Sequence, residues 1–332
     1  MPVVPYNLLR PFLFALPPES AHHIALSALR TVARCPSSPP VVLPKTVMGL
    51  SFSNPLGLAA GLDKNADSAD ALSSLGFGFV EVGALTPRPQ RGNNPPRLFR
   101  VPPNALVNRM GFNNCGMAEA AKRLSVRRGK YILGINLGKN ADTPQDKAKD
   151  DYASCLEHLY PHGDFFTVNI SSPNTEGLRD LQTPEKLSPL LRDLHVRRDE
   201  LAKQHGKRAP LAVKLSPDMS ESELESVAGV IADEQMDGVI ACNTTTSRPE
   251  GFSSSQSGGL SGAPLTTRAL EMTQQLRRFL PSRVAVIGVG GIMNEDNAKE
   301  RLDAGADLIQ LYTGLIYAGP GLPRRILRRL EQ

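Results

Sequence analysis

The chain has 332 residues, 40% of them hydrophobic and 21% charged, which is typical of a soluble globular enzyme with a sizeable core. Its net charge of +5 and its lack of Trp do not indicate a nucleic-acid-binding surface. Its four cysteines show no CxxC spacing, which argues against a disulfide framework or a zinc site and favours a cytoplasmic protein.

Residues 1–45 are predicted to form an amphipathic helical segment. Residues 11–16 are apolar and predict one or two helical turns. The helix predicted after residues 17–20 has an apolar stripe at helical spacing, formed by Ala21, Ile24, Ala25, Ala28, Leu29 and Val32. Its opposite face is polar and basic, with His22, His23, Ser27, Arg30 and Arg34. Two interpretations remain open: the stripe packs on the rest of the protein, or it lies in the surface of an anionic membrane.

Eight short apolar runs follow, each rich in Val, Ile, Leu or Phe and bounded by Gly, Pro, Asn or Asp. They are residues 56–60, 79–82, 132–136, 165–170, 211–215, 238–241, 284–289 and 308–312. Nearly continuous apolar runs are typical of parallel strands that are buried on both faces. The runs therefore predict eight parallel strands.

Helical patterns lie between these runs, at residues 66–75, 145–159, 220–234 and 294–304. The third opens on a capping signal, with Ser220 three residues before Glu223, and the fourth ends at Gly305. Strand and helix alternating eight times favour a (β/α)₈ TIM barrel over residues 46–332, rather than an open doubly wound sheet.

Glycines follow the last two predicted strands, in residues 288–291 and in Tyr312-Thr313-Gly314. Glycine lets backbone amides approach an anion closely, and the loops after strands seven and eight are the recurrent phosphate site of this fold. The sequence therefore predicts a phosphorylated ligand at this end of the barrel.

Lys214 lies within the apolar fifth strand. A buried lysine is costly unless it is paired, deprotonated or facing a ligand. Three interpretations remain open: a Schiff base with a carbonyl substrate, stabilisation of negative charge on a bound cofactor, or an ion pair inside the barrel.

Five asparagines lie near strand ends and could hold one flat polar ligand through their amides: Asn108, Asn136, Asn169, Asn174 and Asn243. No histidine lies at a strand end, so neither a histidine base nor a histidine-ligated metal is predicted. Ser172 follows the fourth strand directly and precedes Pro173, which makes it a candidate for proton transfer. A serine hydrolase is not indicated, because no His/Asp pair accompanies it.

Several long motifs resemble those of the dihydroorotate dehydrogenase family. They are NPLGLAAGLDK (54–64), TPRPQ (86–90), NRMGFN (108–113), NISSPN (169–174), GGLSG (258–262) and the glycines after strands seven and eight. The resemblance implies oxidation of dihydroorotate to orotate in pyrimidine synthesis, with one FMN per chain and Ser172 as the catalytic base. It also implies that Lys214 stabilises negative charge on the reduced flavin.

The same resemblance implies the residues of each subsite, and no metal. FMN contacts are expected at Ala60, Gly61, Lys64, Ala84, Asn136, Asn169, Lys214, Cys242, Gly262, Gly291, Tyr312 and Thr313. Substrate contacts are expected at Lys64, Asn108, Arg109, Met110, Gly111, Phe112, Asn169, Asn174, Asn243 and Thr244. Ala84 and Cys242 depart from the family pattern, which has hydroxyl residues there, so their side-chain contacts with the flavin are in doubt.

Within the family, serine at position 172 and the N-terminal helices resemble the membrane-associated class that uses quinone. This favours the membrane-surface interpretation and implies a peripheral protein on the cytoplasmic face of the cell membrane, attached through residues 1–35, as a monomer or weak dimer. The inner end of a quinone tunnel is expected at His22, Arg100 and Tyr312. The rival hypotheses are a Schiff-base aldolase using Lys214, a phosphate-binding module and another FMN barrel oxidoreductase.

Overall fold

A computed structural model describes residues 5–32, 41–250, 252 and 254–332. Arg34 of the predicted polar helix face lies outside these residues. The strands in chain order are β1 (Lys45–Val47), β2 (Leu50–Phe52), β3 (Leu56–Leu58), β4 (Phe79–Leu85), β5 (Leu98–Val101), β6 (Ala105–Asn108), β7 (Ile132–Leu137), β8 (Phe165–Asn169), β9 (Leu211–Leu215), β10 (Gly238–Ala241), β11 (Gly259–Gly262), β12 (Ala285–Val289) and β13 (Leu308–Leu311).

The α-helices in chain order are α1 (Tyr6–Ala15), α2 (Pro18–Val32), α3 (Ala69–Ser73), α4 (Met117–Leu124), α5 (Ala148–Leu159), α6 (Pro184–His205), α7 (Glu221–Asp233), α8 (Thr266–Phe279), α9 (Glu295–Asp303), α10 (Thr313–Ala318) and α11 (Leu322–Leu330). The predicted cap of α7 is confirmed: Ser220 Oγ accepts from the Glu223 amide, and Glu223 accepts from the Ser220 amide. No helical pattern was predicted for α4, α6, α8, α10 or α11.

Eight parallel strands close into a barrel in the order β3-β4-β7-β8-β9-β10-β12-β13. They coincide with the eight predicted runs, so the (β/α)₈ prediction is confirmed. Every residue of β9 is buried, as expected for a strand with side chains facing both the barrel interior and the surrounding helices. The alternation of strand and helix thus follows directly from the hydrophobic pattern.

The amino-terminal end of the barrel is filled by apolar side chains. The hairpin of β1 and β2 contributes Phe52, whose ring centroid lies 5.3 Å from that of Phe79 in an edge-on contact. Phe79 contacts Phe165 similarly, at 6.0 Å. This apolar floor fills the amino-terminal end of the barrel, whereas the described residues leave a cavity at the carboxyl ends of the strands.

An antiparallel sheet outside the barrel joins β5, β6 and β11 in the order β11-β6-β5. The sequence analysis did not predict it, because its strands are short and only partly alternate in polarity. Asn108 at the end of β6 pairs in register with Gly259 of β11. The sheet therefore brings two distant motifs together above the barrel.

The helices α1 and α2 lie against the barrel through a few polar contacts. Tyr6 donates to the Ile316 carbonyl at 2.6 Å, and Arg97 forms an ion pair with Glu19 at 2.6 Å. The helix α1 is longer than the prediction for residues 11–16, since it begins at Tyr6 and continues through Pro11. None of the described helices is long and apolar enough to cross a membrane.

Most of the apolar stripe predicted on α2 does not pack against the barrel, although Leu29 is half-buried against the core. Ala21 is its one buried member, whereas Ile24 is 50% exposed and Val32 is 58% exposed. His22 and Leu26 lie towards the barrel instead, in a cleft beside Lys64. The packing interpretation is therefore wrong for most of the stripe, because the helix presents a polar and mixed face to the barrel.

Candidate functional site

A central cavity opens at the carboxyl ends of the barrel strands and encloses about 1100 Å³ of empty space, including open solvent at its mouth. It brings together most of the predicted site residues. These are Ala60, Gly61, Lys64, Ala84, Asn108, Met110, Gly111, Phe112, Asn169, Ser172, Asn174, Lys214, Cys242, Asn243, Thr244, Gly262, Gly291, Tyr312 and Thr313. Residues from nine separate segments of the chain thus meet at one place.

Four predicted site residues lie outside this cavity. Asn136 is fully buried beneath it. The Arg109 guanidinium donates to the Pro96 carbonyl at 2.9 Å and lies over the Phe99 ring. Arg100 donates to carbonyls at the end of α1, and His22 lines a second cleft.

A chain of hydrogen bonds in the barrel interior supports the cavity floor. Glu81, fully buried on β4, accepts from Gln310 Nε2 and from Asn136 Nδ2, the latter at 2.7 Å. Asn136 Oδ1 in turn accepts from Asn169 Nδ2 at 2.8 Å. Asn243 extends the chain by donating to Ser171 Oγ at 3.0 Å. The amide of Asn169 is thus oriented from below before any ligand arrives.

Further amide contacts join residues that line the cavity. Asn174 Nδ2 donates to Asn108 Oδ1 at 3.0 Å, which links the loop after β8 to the outer sheet. Asn243 Oδ1 accepts from the Thr244 amide at 2.7 Å. Because amides present both donors and acceptors, these walls suit a flat ligand with alternating carbonyl and N–H groups.

Ser172 lies in the loop after β8 and is 6% exposed. Its Oγ accepts from the Asn174 amide at 3.3 Å. The structure records no carboxylate or imidazole bonded to this hydroxyl within the described residues. A charge-relay arrangement of the serine-hydrolase kind is therefore not present here.

Arg179, which the sequence analysis did not single out, ties together the two loops that carry Ser172 and Thr244. Its guanidinium donates to the Ser171 carbonyl at 3.2 Å and to the Thr244 carbonyl at 3.1 Å. Its third contact is an ion pair of 2.8 Å with Asp218. This side chain therefore fixes the loop of Ser172 from behind.

The glycine loops after β12 and β13 line one end of the cavity. Gly290 and Gly291 both have positive φ, at 100° and 69°, and a Cβ on Gly291 would lie 2.2 Å from the Thr266 Cα. Only glycine fits this close approach. Ser261 Oγ and Thr313 Oγ1 are hydrogen-bonded at 2.9 Å beside the loops. The result is a wall of backbone and hydroxyl groups suited to an anion.

Two lysines bring positive charge to the cavity. Lys64 Nζ donates to the Gly61 carbonyl at 2.6 Å, and burial lowers the pKa of Lys64 to about 8. Lys214 is 6% exposed, and no carboxylate of the described chain forms an ion pair with it. The internal ion pair considered for Lys214 is therefore not observed, and its ammonium group faces the cavity.

The two departures from the family pattern both line the cavity. Cys242 donates its backbone amide to the Val289 carbonyl at 2.9 Å, and burial raises the pKa of its thiol to about 12. Ala84 follows Gly83, which also lines the cavity. The backbone amide of Cys242 is thus already engaged, and neither side chain offers a hydroxyl.

A smaller cleft of about 480 Å³, here called the N-terminal cleft, lies between α2 and the barrel. Lys64, Met110, Asn113 and Tyr312 line both this cleft and the central cavity, so the two adjoin. Burial lowers the pKa of His22 to about 3, so this side chain is neutral at physiological pH. The cleft therefore leads from the exposed helices to the centre of the barrel.

Sequence reasoning missed several residues of the site, notably Glu81, Asn113, Arg179 and Gln310. A signal existed for Glu81 and Gln310, because each is a polar residue within an apolar strand, as Lys214 is. No such signal marks Arg179, whose partners lie in distant loops.

Comparisons with known proteins agree with this geometry. Residues 42–332 match the family model for dihydroorotate dehydrogenase. The chain belongs to the dihydroorotate dehydrogenase family. A relative named dihydroorotate dehydrogenase (quinone) from Methylococcus capsulatus is 51% identical, with 97% of each chain covered. One of the same name from Azotobacter vinelandii is 48% identical and covers 98% of this chain and 96% of its own.

Solved structures of dihydroorotate dehydrogenases share the fold. The enzyme of Eimeria tenella, crystallised in complex with ferulenol, superposes with a TM-score of 0.87 at 35% identity. The alignment covers 94% of this chain and 90% of the other. The ligand-free form of the same enzyme gives the same TM-score at 36% identity and covers 94% of each chain.

Proposed function

We propose that this chain oxidises dihydroorotate to orotate, with FMN as hydride acceptor and a membrane quinone as final electron acceptor, in pyrimidine synthesis. The observation that supports this most directly is the central cavity, where Ser172, Lys64 and several amides face glycine loops across one enclosed space. Belonging to the dihydroorotate dehydrogenase family supports the same substrate.

The residues present suit FMN. The cavity is lined on one side by glycine loops suited to a phosphate and elsewhere by amides and two lysines suited to a polar ring system. The loops of Gly291 and Thr313 would hold the phosphate, and Lys214 would lie against the ring system. FMN would supply hydride acceptance and later electron transfer to quinone. Ala60, Gly61, Ala84, Asn169, Cys242, Gly262 and Tyr312 would complete its binding site, with Lys64 beside it and Asn136 acting from beneath.

The substrate would be held by amides and one cation. Asn108, Asn174, Asn243 and Thr244 would bond the pyrimidine edges, while Lys64 would lie between substrate and flavin. The backbone of residues 109–112, including Met110, Gly111 and Phe112, would cover it. Ser172 Oγ would accept the C5 proton of dihydroorotate as the C6 hydride leaves, and its own hydroxyl proton would pass towards solvent.

Residues 1–45 would form the membrane-contacting segment, and residues 46–332 the FMN-binding barrel. Large apolar side chains of α1 and α2 are exposed, with Phe12 at 76% and Leu8 at 58%. These suit the interface of a peripheral protein on the cytoplasmic face of the cell membrane, as a monomer or weak dimer. Quinone would enter by the N-terminal cleft, with His22 and Tyr312 along its path and Arg100 at its margin.

Anaerobic absorbance spectroscopy tests this proposal. The purified protein should be yellow, dihydroorotate should bleach it, and a soluble quinone should restore the colour. A yellow protein that dihydroorotate does not bleach indicates a different flavin oxidoreductase. A colourless protein in which borohydride traps a carbonyl substrate on Lys214 indicates the aldolase alternative. A colourless protein that merely binds phosphorylated ligands indicates the binding module.

A further inference from the structure

Arg301 of α9 is 1% exposed, yet no carboxylate within the described chain forms an ion pair with it. Its guanidinium donates to three backbone carbonyls, that of Gly290 at 3.0 Å and those of Val289 and Thr266 at 3.4 Å each. Its Nε is buried without any hydrogen-bond partner. Arg198 is equally buried but forms ion pairs with Asp199 and Asp237. Arg301 is therefore an uncompensated cation in the interior.

A buried charge without a counter-charge is costly, and an anionic ligand bound nearby would offset that cost. Burial lowers the pKa of Arg301 to about 10, so the group still carries its proton at physiological pH. Arg301 is not among the residues that line the central cavity. Its charge must therefore act through the backbone that separates it from the cavity.

That backbone is the glycine loop after β12. The peptide group is planar and trans, so its carbonyl and its N–H point in opposite directions. Because the Gly290 carbonyl points at the Arg301 guanidinium, the Gly291 amide points away from it. No acceptor for the Gly291 amide exists in the described part of the chain. Its hydrogen bond is left for a ligand.

Contacts on both sides restrict the conformation of this loop. A Cβ on Gly288 would lie 2.5 Å from Arg301 Cγ, so the arginine stem packs directly under the end of β12. On the other side, Thr266 Oγ1 donates to the Gly291 carbonyl at 2.8 Å. The guanidinium and Thr266 together fix two successive peptide groups.

We propose that Arg301 is a positioning residue for the phosphate of the bound flavin. It orients the Gly290–Gly291 peptide so that the Gly291 amide meets the phosphate, and it places a positive charge behind that amide. The proposal rests on FMN being the cofactor, as proposed above. It predicts that Arg301 contributes to affinity for the phosphate and not for the isoalloxazine ring.

The test compares FMN with riboflavin, which lacks the phosphate. The full-length chain, freed of flavin, is titrated with each by fluorescence quenching, in wild type, Arg301→Gln, Arg301→Met and Arg301→Lys. The two neutral variants should weaken FMN binding by about 10- to 100-fold, the range expected for hydrogen bonds to a charged group. Riboflavin affinity should stay within about twofold, and Arg301→Lys, which keeps the charge but not the forked donors, should recover part of the FMN affinity.

Arg198→Met is the matched control, because it removes an equally buried arginine away from the cavity. It should leave the ratio of the two affinities unchanged. Equal losses for FMN and riboflavin in the neutral Arg301 variants, or no loss for either, would overturn the proposal. If Arg301→Met does not fold, the test rests on Arg301→Gln, which keeps a hydrogen-bond donor at that position. A wild-type chain that binds neither flavin would instead refute FMN as the cofactor.

Discussion

Asn169 Nδ2 donates to Asn136 Oδ1 across 2.8 Å, so one predicted ligand-binding amide is held in place by another that does not reach the cavity. Asn136 is fully buried between Asn169 and Glu81. Both asparagines were predicted as flavin contacts, yet only Asn169 lines the cavity. Asn169 can therefore contact a ligand, whereas Asn136 holds the Asn169 amide in place from beneath.

Asn136→Ala should destabilise the protein and weaken ligand binding together. The substitution leaves buried polar atoms of Glu81 and Asn169 without partners, which costs about 1–3 kcal/mol. Thermal unfolding should show a lower midpoint, and orotate titration a higher dissociation constant. Thr167→Val is the control, since Thr167 Oγ1 is buried in the same barrel without a partner. Equal effects of the two substitutions would argue against the hydrogen-bond chain.

Ser172→Ala should retain its flavin but reduce it slowly. Loss of a general base typically costs about 10²–10⁴-fold in rate. Stopped-flow mixing with dihydroorotate under anaerobic conditions measures this step directly. Ser172→Cys, which restores a proton acceptor, should recover part of the rate. Unchanged flavin reduction in the alanine variant would remove Ser172 from the proton transfer.

Orotate binding should weaken as pH rises through about 8, because burial sets the pKa of Lys64 there. Below that pH the ammonium group is charged and attracts the anionic ligand, whereas above it the attraction is lost. A lysine with an unshifted pKa would keep its charge to about pH 10. Dissociation constants measured by flavin fluorescence should show this loss in wild type. Lys64→Met should bind weakly at every pH, and persistence of the same inflection would assign it to another group.

Arg179→Met should slow flavin reduction without releasing the flavin. The variant loses the two carbonyl contacts that tie the loop of Ser172 to the loop of Thr244, and small misplacement of a reacting group can cost about 10²-fold. The expected result is a lower kcat with nearly unchanged flavin content. Arg192→Met is the control, because that exposed arginine pairs with Glu234 away from the cavity. A variant that only raises KM would show that Arg179 affects binding instead.

Replacing both Leu8 and Phe12 of α1 with serine should reduce vesicle binding and quinone turnover. Burying one such side chain contributes about 1.5–3 kcal/mol. Flotation with vesicles of phosphatidylethanolamine and phosphatidylglycerol measures the binding. Reduction of the flavin by dihydroorotate should not change. Serine at Val126 and Val196, which are also exposed, should leave binding intact. Loss of vesicle binding in that control pair would contradict a specific role for α1.

The barrel could be predicted because a parallel strand buried on both faces needs a run of apolar residues, and each of the eight runs is short and clearly bounded. The outer sheet of β5, β6 and β11 could not be predicted, because its strands are short and β11 comes from a motif far along the chain. For the apolar stripe of α2 the sequence left two interpretations open, packing on the rest of the protein or lying in a membrane surface. Helical spacing identifies an apolar stripe but does not say which surface covers it.

The sequence by itself determined the fold, the glycine loops and the residue types of the site, because these depend on local patterns and on where strands end. Only the tertiary structure decided that Asn136 lies beneath the cavity, that Arg109 turns away from it, and that Arg179 and Arg301 brace its loops. These properties depend on which carbonyls and side chains meet across the barrel. Such contacts join residues that are distant in sequence, so no local pattern encodes them.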